Sequence, residues 1–126
     1  MLTVHHLGRS RSERIVWLCE ELEIPYKLIR YERDPVTRLA PAQYKAIYPF
    51  GTAPAITDGD VTMGESGAIM EYIIAKHGNG RLAVAVTSLN FSDYLYWFHF
   101  ANGTMMPSLS ASSIISRMGG RATMHR

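Results

Sequence analysis

The stretch "HHLGRSRSERIVWLCEEL", His5 to Leu22, holds a change of period that decides how the chain folds. Its first residues belong to "LTVHHL" (Leu2 to Leu7), short and partly β-branched, and Gly8 follows, the pattern of a strand ending in a turn. Downstream, apolar residues fall at Ile15, Leu18, Cys19 and Leu22, the i, i+3, i+4, i+7 stripe of an amphipathic helix that Pro25 must stop. Between them, "GRSRSER" interleaves Ser10 and Ser12 with Arg9, Arg11 and Arg14. Such a run suits an arginine-serine tract, a basic nucleic-acid patch or the mouth of an active site. Its direct passage into a helix argues against the disordered tract. Ser10 with Glu13 three residues on also makes a capping box, so the spacing predicts that the helix is capped at Ser10.

Working outward, "YKLIRY" (Tyr26 to Tyr31) reads as a second strand, and "APAQYKAI" (Ala40 to Ile47) as a short helix with Pro41 in its first turn. "PAIT" and "VTM" flank Asp58-Gly59-Asp60, a hairpin signal because a tight turn wants residues that tolerate positive φ. "ESGAIMEYIIAKHG" then places Ile69, Met70, Ile73 and Ile74 at helical spacing. The order β-α-β-α-β-β-α fills residues 1–80 and makes the fold class α/β. Residues 81–126 read as a linker and a partial helical domain: one aromatic helix from about Ser88 to Asn102, then an irregular serine-rich tail in which Leu109 to Met118 is a weaker helical segment.

A chain of 126 residues suits one core with at most a small second domain, and 47% apolar against 19% charged residues is a folding composition. The net charge of +2 arises from scattered basic residues with acidic ones interspersed, so no phosphate-tracking stripe forms and nucleic acid is not an expected partner. No apolar run approaches a membrane span, no secretory signal is read at the N-terminus, and a single cysteine leaves no disulfide framework. A cytoplasmic setting without a membrane partner is expected. No metal is expected, since His5 and His6 are adjacent on a strand and point to opposite faces. Cys19 lies in the apolar stripe and reads as an inert core thiol.

Three short segments have both a structural and a chemical reading. Ser10 is a helix cap, yet the same geometry puts a hydroxyl at the positive end of a helix. In "PFGTAP", Pro54 marks a strand edge, and a cis Ala53-Pro54 bond turns the Ala53 amide and carbonyl toward an added peptide. In "GESG", Ser66 reads as the cap of the next helix, with Glu65 beside it able to meet an ammonium.

Taken together on this layout, "SRSERIVWLCEEL", "PFGTAP" and "ESGAIMEYI" resemble the glutathione transferase family, closest to its serine-type bacterial and fungal members. The resemblance implies a thioredoxin-like N-terminal domain followed by a remnant of an all-helical C-terminal domain, truncated after that domain's first helix. It further implies glutathione as co-substrate and Ser10, alternatively Ser12, as the hydroxyl that favours its thiolate for attack on a small electrophile. Ala53 and Pro54 would pair with the cysteinyl part, Glu65 and Ser66 would hold the γ-glutamyl end, and Thr52 or Arg38 would meet the glycine carboxylate. A detoxifying, cytoplasmic homodimer is the expected setting. Relatives build most of the electrophile pocket from helices beyond the length of this chain. A second class therefore stands beside the enzyme: a non-catalytic binding or assembly module on the same fold.

Overall fold

The computed structural model describes residues 1–119. The chain divides into two compact units, Met1–Ala83 and a second that starts at Val84. The first contains β1 (Leu2–Leu7), α1 (Ser12–Glu21), β2 (Lys27–Tyr31), α2 (Ala42–Ile47), β3 (Ala55–Asp58), β4 (Val61–Gly64) and α3 (Ser66–Lys76). Its four strands form one sheet in the order β2-β1-β3-β4, with β1 parallel to β2 and antiparallel to β3, and β3 antiparallel to β4. This is the thioredoxin-like arrangement expected from the motif order.

Period-2 alternation along β1 sends its residues to two faces. Leu2 and Val4 join Ile56, the α1 stripe of Ile15, Leu18, Cys19 and Leu22, and Ile69, Ile73 and Ile74 of α3 in the main core. Leu7 packs on the other face with Tyr44 of α2 and Ala55. Each of these aliphatic side chains contributes roughly 1.5–3 kcal/mol when fully buried, so the α1 and α3 stripes hold the layer in place. Asp58 pairs with Val61 across the hairpin, and Gly59 takes a φ of 58°, a conformation that glycine adopts without strain. Arg81 closes the unit: its guanidinium donates to the carbonyls of Leu22 at 2.9 Å and Gly78 at 3.0 Å, the first of these at the C-terminal end of α1.

Two helix starts differ from the sequence expectation. The capping box at Ser10 is not formed: α1 begins at Ser12, and the cap position is Arg11, which provides no side-chain hydrogen bond. Arg9 sits at a φ of 55°, which turns the chain tightly after Gly8 and delays helical geometry by two residues. Likewise Ser66 is the first residue of α3 rather than its cap, and Glu65 occupies the cap position at φ 67° and ψ 107°.

In the second unit, α4 (Phe91–Phe100) continues through a π-helical stretch, Ala101–Met105, into α5 (Met106–Arg117). The tail expected to be irregular from residue 107, with a weaker helical segment at Leu109 to Met118, is thus helical from Met106 to Arg117. Pro107 is the second residue of α5, directly after the π-helical stretch, and does not break the helix. The part of the tail from residue 120 lies outside the described residues. Tyr96, Trp97 and Phe100 cluster on α4, with Tyr96 and Phe100 stacked 5.9 Å apart. No helix among the described residues is long and apolar enough to cross a membrane.

Candidate functional site

The strand register gathers distant segments at one end of the sheet. His5 near the C-terminal end of β1 pairs with Ala55 at the start of β3, and Ala55 pairs with Gly64 at the end of β4. The segments that extend from these points are Gly8–Arg11 after β1, Thr52–Pro54 before β3 and Glu65–Ser66 after β4. Because β2 runs parallel to β1, with Leu7 against Tyr31, the loop after β2 that carries Arg33 and Arg38 leaves from the same end. All the residues singled out from the sequence therefore lie on segments at this end.

Ser10 is half-buried and held from three sides. Its Oγ lies 2.5 Å from the Leu7 carbonyl and 2.6 Å from Ser12 Oγ, and it accepts from the Ser12 amide at 3.1 Å. Ser12 is fully buried; its Oγ accepts from the Leu7 amide at 3.2 Å, donates to the Leu7 carbonyl at 3.0 Å, and lies 2.6 Å from His6 Nδ1. The two serines therefore differ in kind. Ser12 ties the start of α1 to the end of β1, while Ser10 lies nearer the surface.

Ala53-Pro54 is a cis peptide, and Ala53 is half-buried while Pro54 is buried. Among the described residues neither the amide nor the carbonyl of Ala53 takes a backbone partner, although Ala55, two residues on, is paired on both sides. An unpaired amide and carbonyl next to an occupied ladder are what an added extended peptide requires. The segment is anchored by Tyr44, whose buried hydroxyl donates to the Thr52 carbonyl at 2.9 Å and whose own proton is held so firmly by burial that its pKa rises to about 12.

Glu65 is exposed in a backbone conformation that L-residues rarely adopt, a strain on the order of 1–3 kcal/mol in typical cases. Ser66 is buried at the N-terminal end of α3, where amides without intrahelical partners favour an anion. Gly64 allows this turn to sit close to α2: a Cβ there would lie 2.2 Å from Cζ of Tyr48. Thr52 and Arg38 are both exposed, and Arg38 stands at φ 63° in the loop after β2.

Two residues have parts here that local sequence did not signal. Arg33 donates from Nε to the Gly8 carbonyl at 2.9 Å, and from its terminal nitrogens to the carbonyls of Arg38 at 3.0 Å and Arg9 at 3.3 Å. One guanidinium thus clamps the Ser10 turn to the loop after β2. Lys45 lies along Gly51, with its Cε 3.3 Å from where a Cβ would stand, and brings a cation to the segment that leads into Ala53. Neither role has a local motif, since both depend on partners brought near by the fold.

His5 and His6 face opposite sides, as their adjacency predicts. His5 is buried with both ring nitrogens engaged, Nδ1 by Tyr31 at 3.0 Å and Nε2 by Thr57 at 3.0 Å, and burial lowers its pKa. Burial also pushes the Cys19 thiol up to about 11, with the charge of Glu20 adding to the effect, which suits a packing residue. Among the described residues no group of three His, Cys, Asp or Glu side chains is placed to hold a metal ion.

Comparison with known proteins agrees with the fold. Residues 5–81 match the family model described as glutathione S-transferase, N-terminal domain. The chain is 37% identical over 115 residues to glutathione S-transferase 3 of Schizosaccharomyces pombe, covering 91% of this chain and 47% of that protein. It superposes on the crystal structure of a glutathione S-transferase from Actinobacillus pleuropneumoniae with a TM-score of 0.82 and 34% identity, covering 97% of this chain and 56% of that one. A glutathione transferase homologue from Sulfitobacter, crystallised with bound glutathione, shares the fold at a TM-score of 0.74 and 23% identity. The chain thus spans about half the length of the relatives it matches.

Proposed function

The chain belongs to the glutathione S-transferase family, and from that premise we propose that it binds glutathione at the sheet end around Ser10, Ala53 and Glu65 and activates the thiol there. The observation that carries this reading is the unpaired Ala53 backbone beside cis-Pro54, positioned to pair with the cysteinyl residue as a short added strand. That pairing sets the sulfur near the turn after β1. The Ser10 hydroxyl donates to the sulfur and favours its thiolate, each pH unit of lowered thiol pKa corresponding to about 1.4 kcal/mol. Glu65 meets the γ-glutamyl ammonium and Ser66 its carboxylate. Lys45, Arg38 and Thr52 supply the surroundings of the glycine carboxylate, with Lys45 and Arg38 as the cations.

Chemically, the thiolate attacks an electrophilic carbon, a carbon–sulfur bond forms and the leaving group departs with the bonding electrons. Ser10 lowers the proton cost of reaching the thiolate, and the rest of the site orients the peptide. The family further supports a homodimeric, cytoplasmic protein that acts on small electrophiles in detoxification. Titration calorimetry with glutathione, followed by a conjugation assay with an activated aryl chloride, tests the proposal. Binding together with turnover supports it. Binding without turnover makes the chain a binding or assembly module, and no binding removes the site.

A further inference from the structure

The hydrogen bonds around Ser10 form a chain that starts on β1. His6 Nδ1 lies 2.6 Å from Ser12 Oγ, and Ser12 Oγ lies 2.6 Å from Ser10 Oγ. A hydroxyl has one proton and two acceptor sites, so the chain admits two directions. If Nδ1 carries a proton, it donates to Ser12, the Ser12 proton swings from the Leu7 carbonyl to Ser10, and the Ser10 proton is shared only between the Leu7 carbonyl at 2.5 Å and a ligand. If Nδ1 is bare, it accepts from Ser12, Ser12 accepts from Ser10, and the Ser10 proton is turned inward. The first direction frees the Ser10 proton from Ser12, so that a thiolate has only the Leu7 carbonyl to outcompete, whereas in the second it competes with both.

We infer that His6 is a positioning residue that sets the direction of the His6–Ser12–Ser10 hydrogen-bond chain, and with it how freely Ser10 can donate to a bound thiolate. The inference rests on the thiol-activating role of Ser10 proposed above. No proton changes owner; each hydrogen bond polarises the next, so a donor at the far end strengthens the donor at the near end. Ser12 suits the middle position because it is fully buried and water does not compete for its oxygen. His6 is half-buried and also lines an open cleft of roughly 240 Å³ with Glu13 and Val16 of α1 and Leu28 and Arg30 of β2. The charged groups sharing that cleft with the imidazole are the Glu13 carboxylate and the Arg30 guanidinium.

The test is an ultraviolet titration of the thiolate of glutathione bound to the full chain, for the parent, Ser10→Ala, His6→Leu and His6→Asn. His6→Leu removes the donor, and the thiol midpoint should rise by about half a pH unit or more, against a smaller change in glutathione affinity. In His6→Asn the side-chain amide replaces Nδ1–H, and the parent midpoint should return. An unchanged midpoint in His6→Leu, or an Asn variant that behaves like Leu, overturns the inference while leaving Ser10 its role. An unchanged midpoint in Ser10→Ala removes the role of Ser10 and this inference with it. Nitrogen-15 shifts of His6 in the parent complex give a reading that needs no variant: a protonated Nδ1 is expected, and a bare Nδ1 overturns the inference.

Discussion

Replacing Ser12 by alanine should damage the fold far more than replacing Ser10, although the two serines stand two residues apart in one motif. The Ser12 side chain is inaccessible to solvent, and its oxygen accepts from the Leu7 amide at 3.2 Å and donates to the Leu7 carbonyl at 3.0 Å. Ser12→Ala leaves the buried Leu7 amide without that acceptor, a cost of about 1–3 kcal/mol, while the Leu7 carbonyl keeps Ser10 as a donor. For a domain of this size each kcal/mol moves the midpoint of thermal unfolding by roughly 4–8 °C, so a drop on the order of 10 °C is expected. Ser10→Ala removes a half-buried hydroxyl whose carbonyl partner retains Ser12, and should cost less than about 1 kcal/mol. Thermal unfolding of both variants, followed by circular dichroism at one protein concentration, makes the comparison. Equal melting of both variants, or a larger loss in Ser10→Ala, would refute the division of labour between the two hydroxyls.

Other consequences can be measured independently. Asp58 accepts from His77 Nε2 and from the Tyr72 hydroxyl, each at 2.8 Å, and these bonds, that of His77 first, hold its carboxyl below the usual value of 3.8. Its contribution, about 1–2 kcal/mol, is full above 3.8 and lost as the pH falls through the lower folded value. Asp58→Asn should therefore be less stable than the parent at neutral pH, with the gap closing in urea unfolding series carried into acid; a constant gap contradicts the assignment. Arg33→Gln should speed amide hydrogen exchange at Gly8 to Ser10 and weaken glutathione binding by roughly tenfold, about 1.4 kcal/mol, since three carbonyl contacts are lost together. Unaltered exchange in that turn contradicts the clamp. Cys19 should resist an aromatic disulfide reagent in the native protein and react fully in urea, because the thiol is buried and its pKa is raised. Rapid labelling without denaturant contradicts its place in the core.

The α/β class was legible because its signals are local. The stripe at Ile15, Leu18, Cys19 and Leu22 lies in the core, and Asp58-Gly59-Asp60 forms the hairpin turn. The opposite faces of His5 and His6 followed from strand geometry alone. The helix starts were less legible, since a serine hydroxyl can satisfy either a helix amide or a neighbouring strand. At Ser12 the strand won: its oxygen bonds the Leu7 backbone, so the capping box with Glu13 had no helix end at Ser10 to close. The candidate site was visible only as motifs, because the segments carrying Ser10, Ala53 and Glu65 reach one end of the sheet through strand register rather than through spacing. Arg33 and the His6–Ser12–Ser10 chain had no sequence signature, as each depends on atoms placed by the finished sheet. In the tail, serine content suggested irregularity, but helical continuity from α4 carries the chain through Pro107.

The π-helical stretch Ala101–Met105 acts as a phase shifter in the second unit. A π turn accommodates one residue more than an α turn, so side chains after Met105 are rotated by about 100° from where an unbroken α-helix would put them. Trp97 and Leu109, both exposed, are brought to one side of the rod by that extra residue, whereas a regular helix would align Leu109 with Phe98. Deleting one residue from this stretch should preserve helicity by circular dichroism yet separate the two side chains, lowering any energy transfer from Trp97 to an acceptor dye attached to a cysteine introduced at Leu109. A change of one residue in this segment thus alters the angle between the two halves of the helix more than its reach.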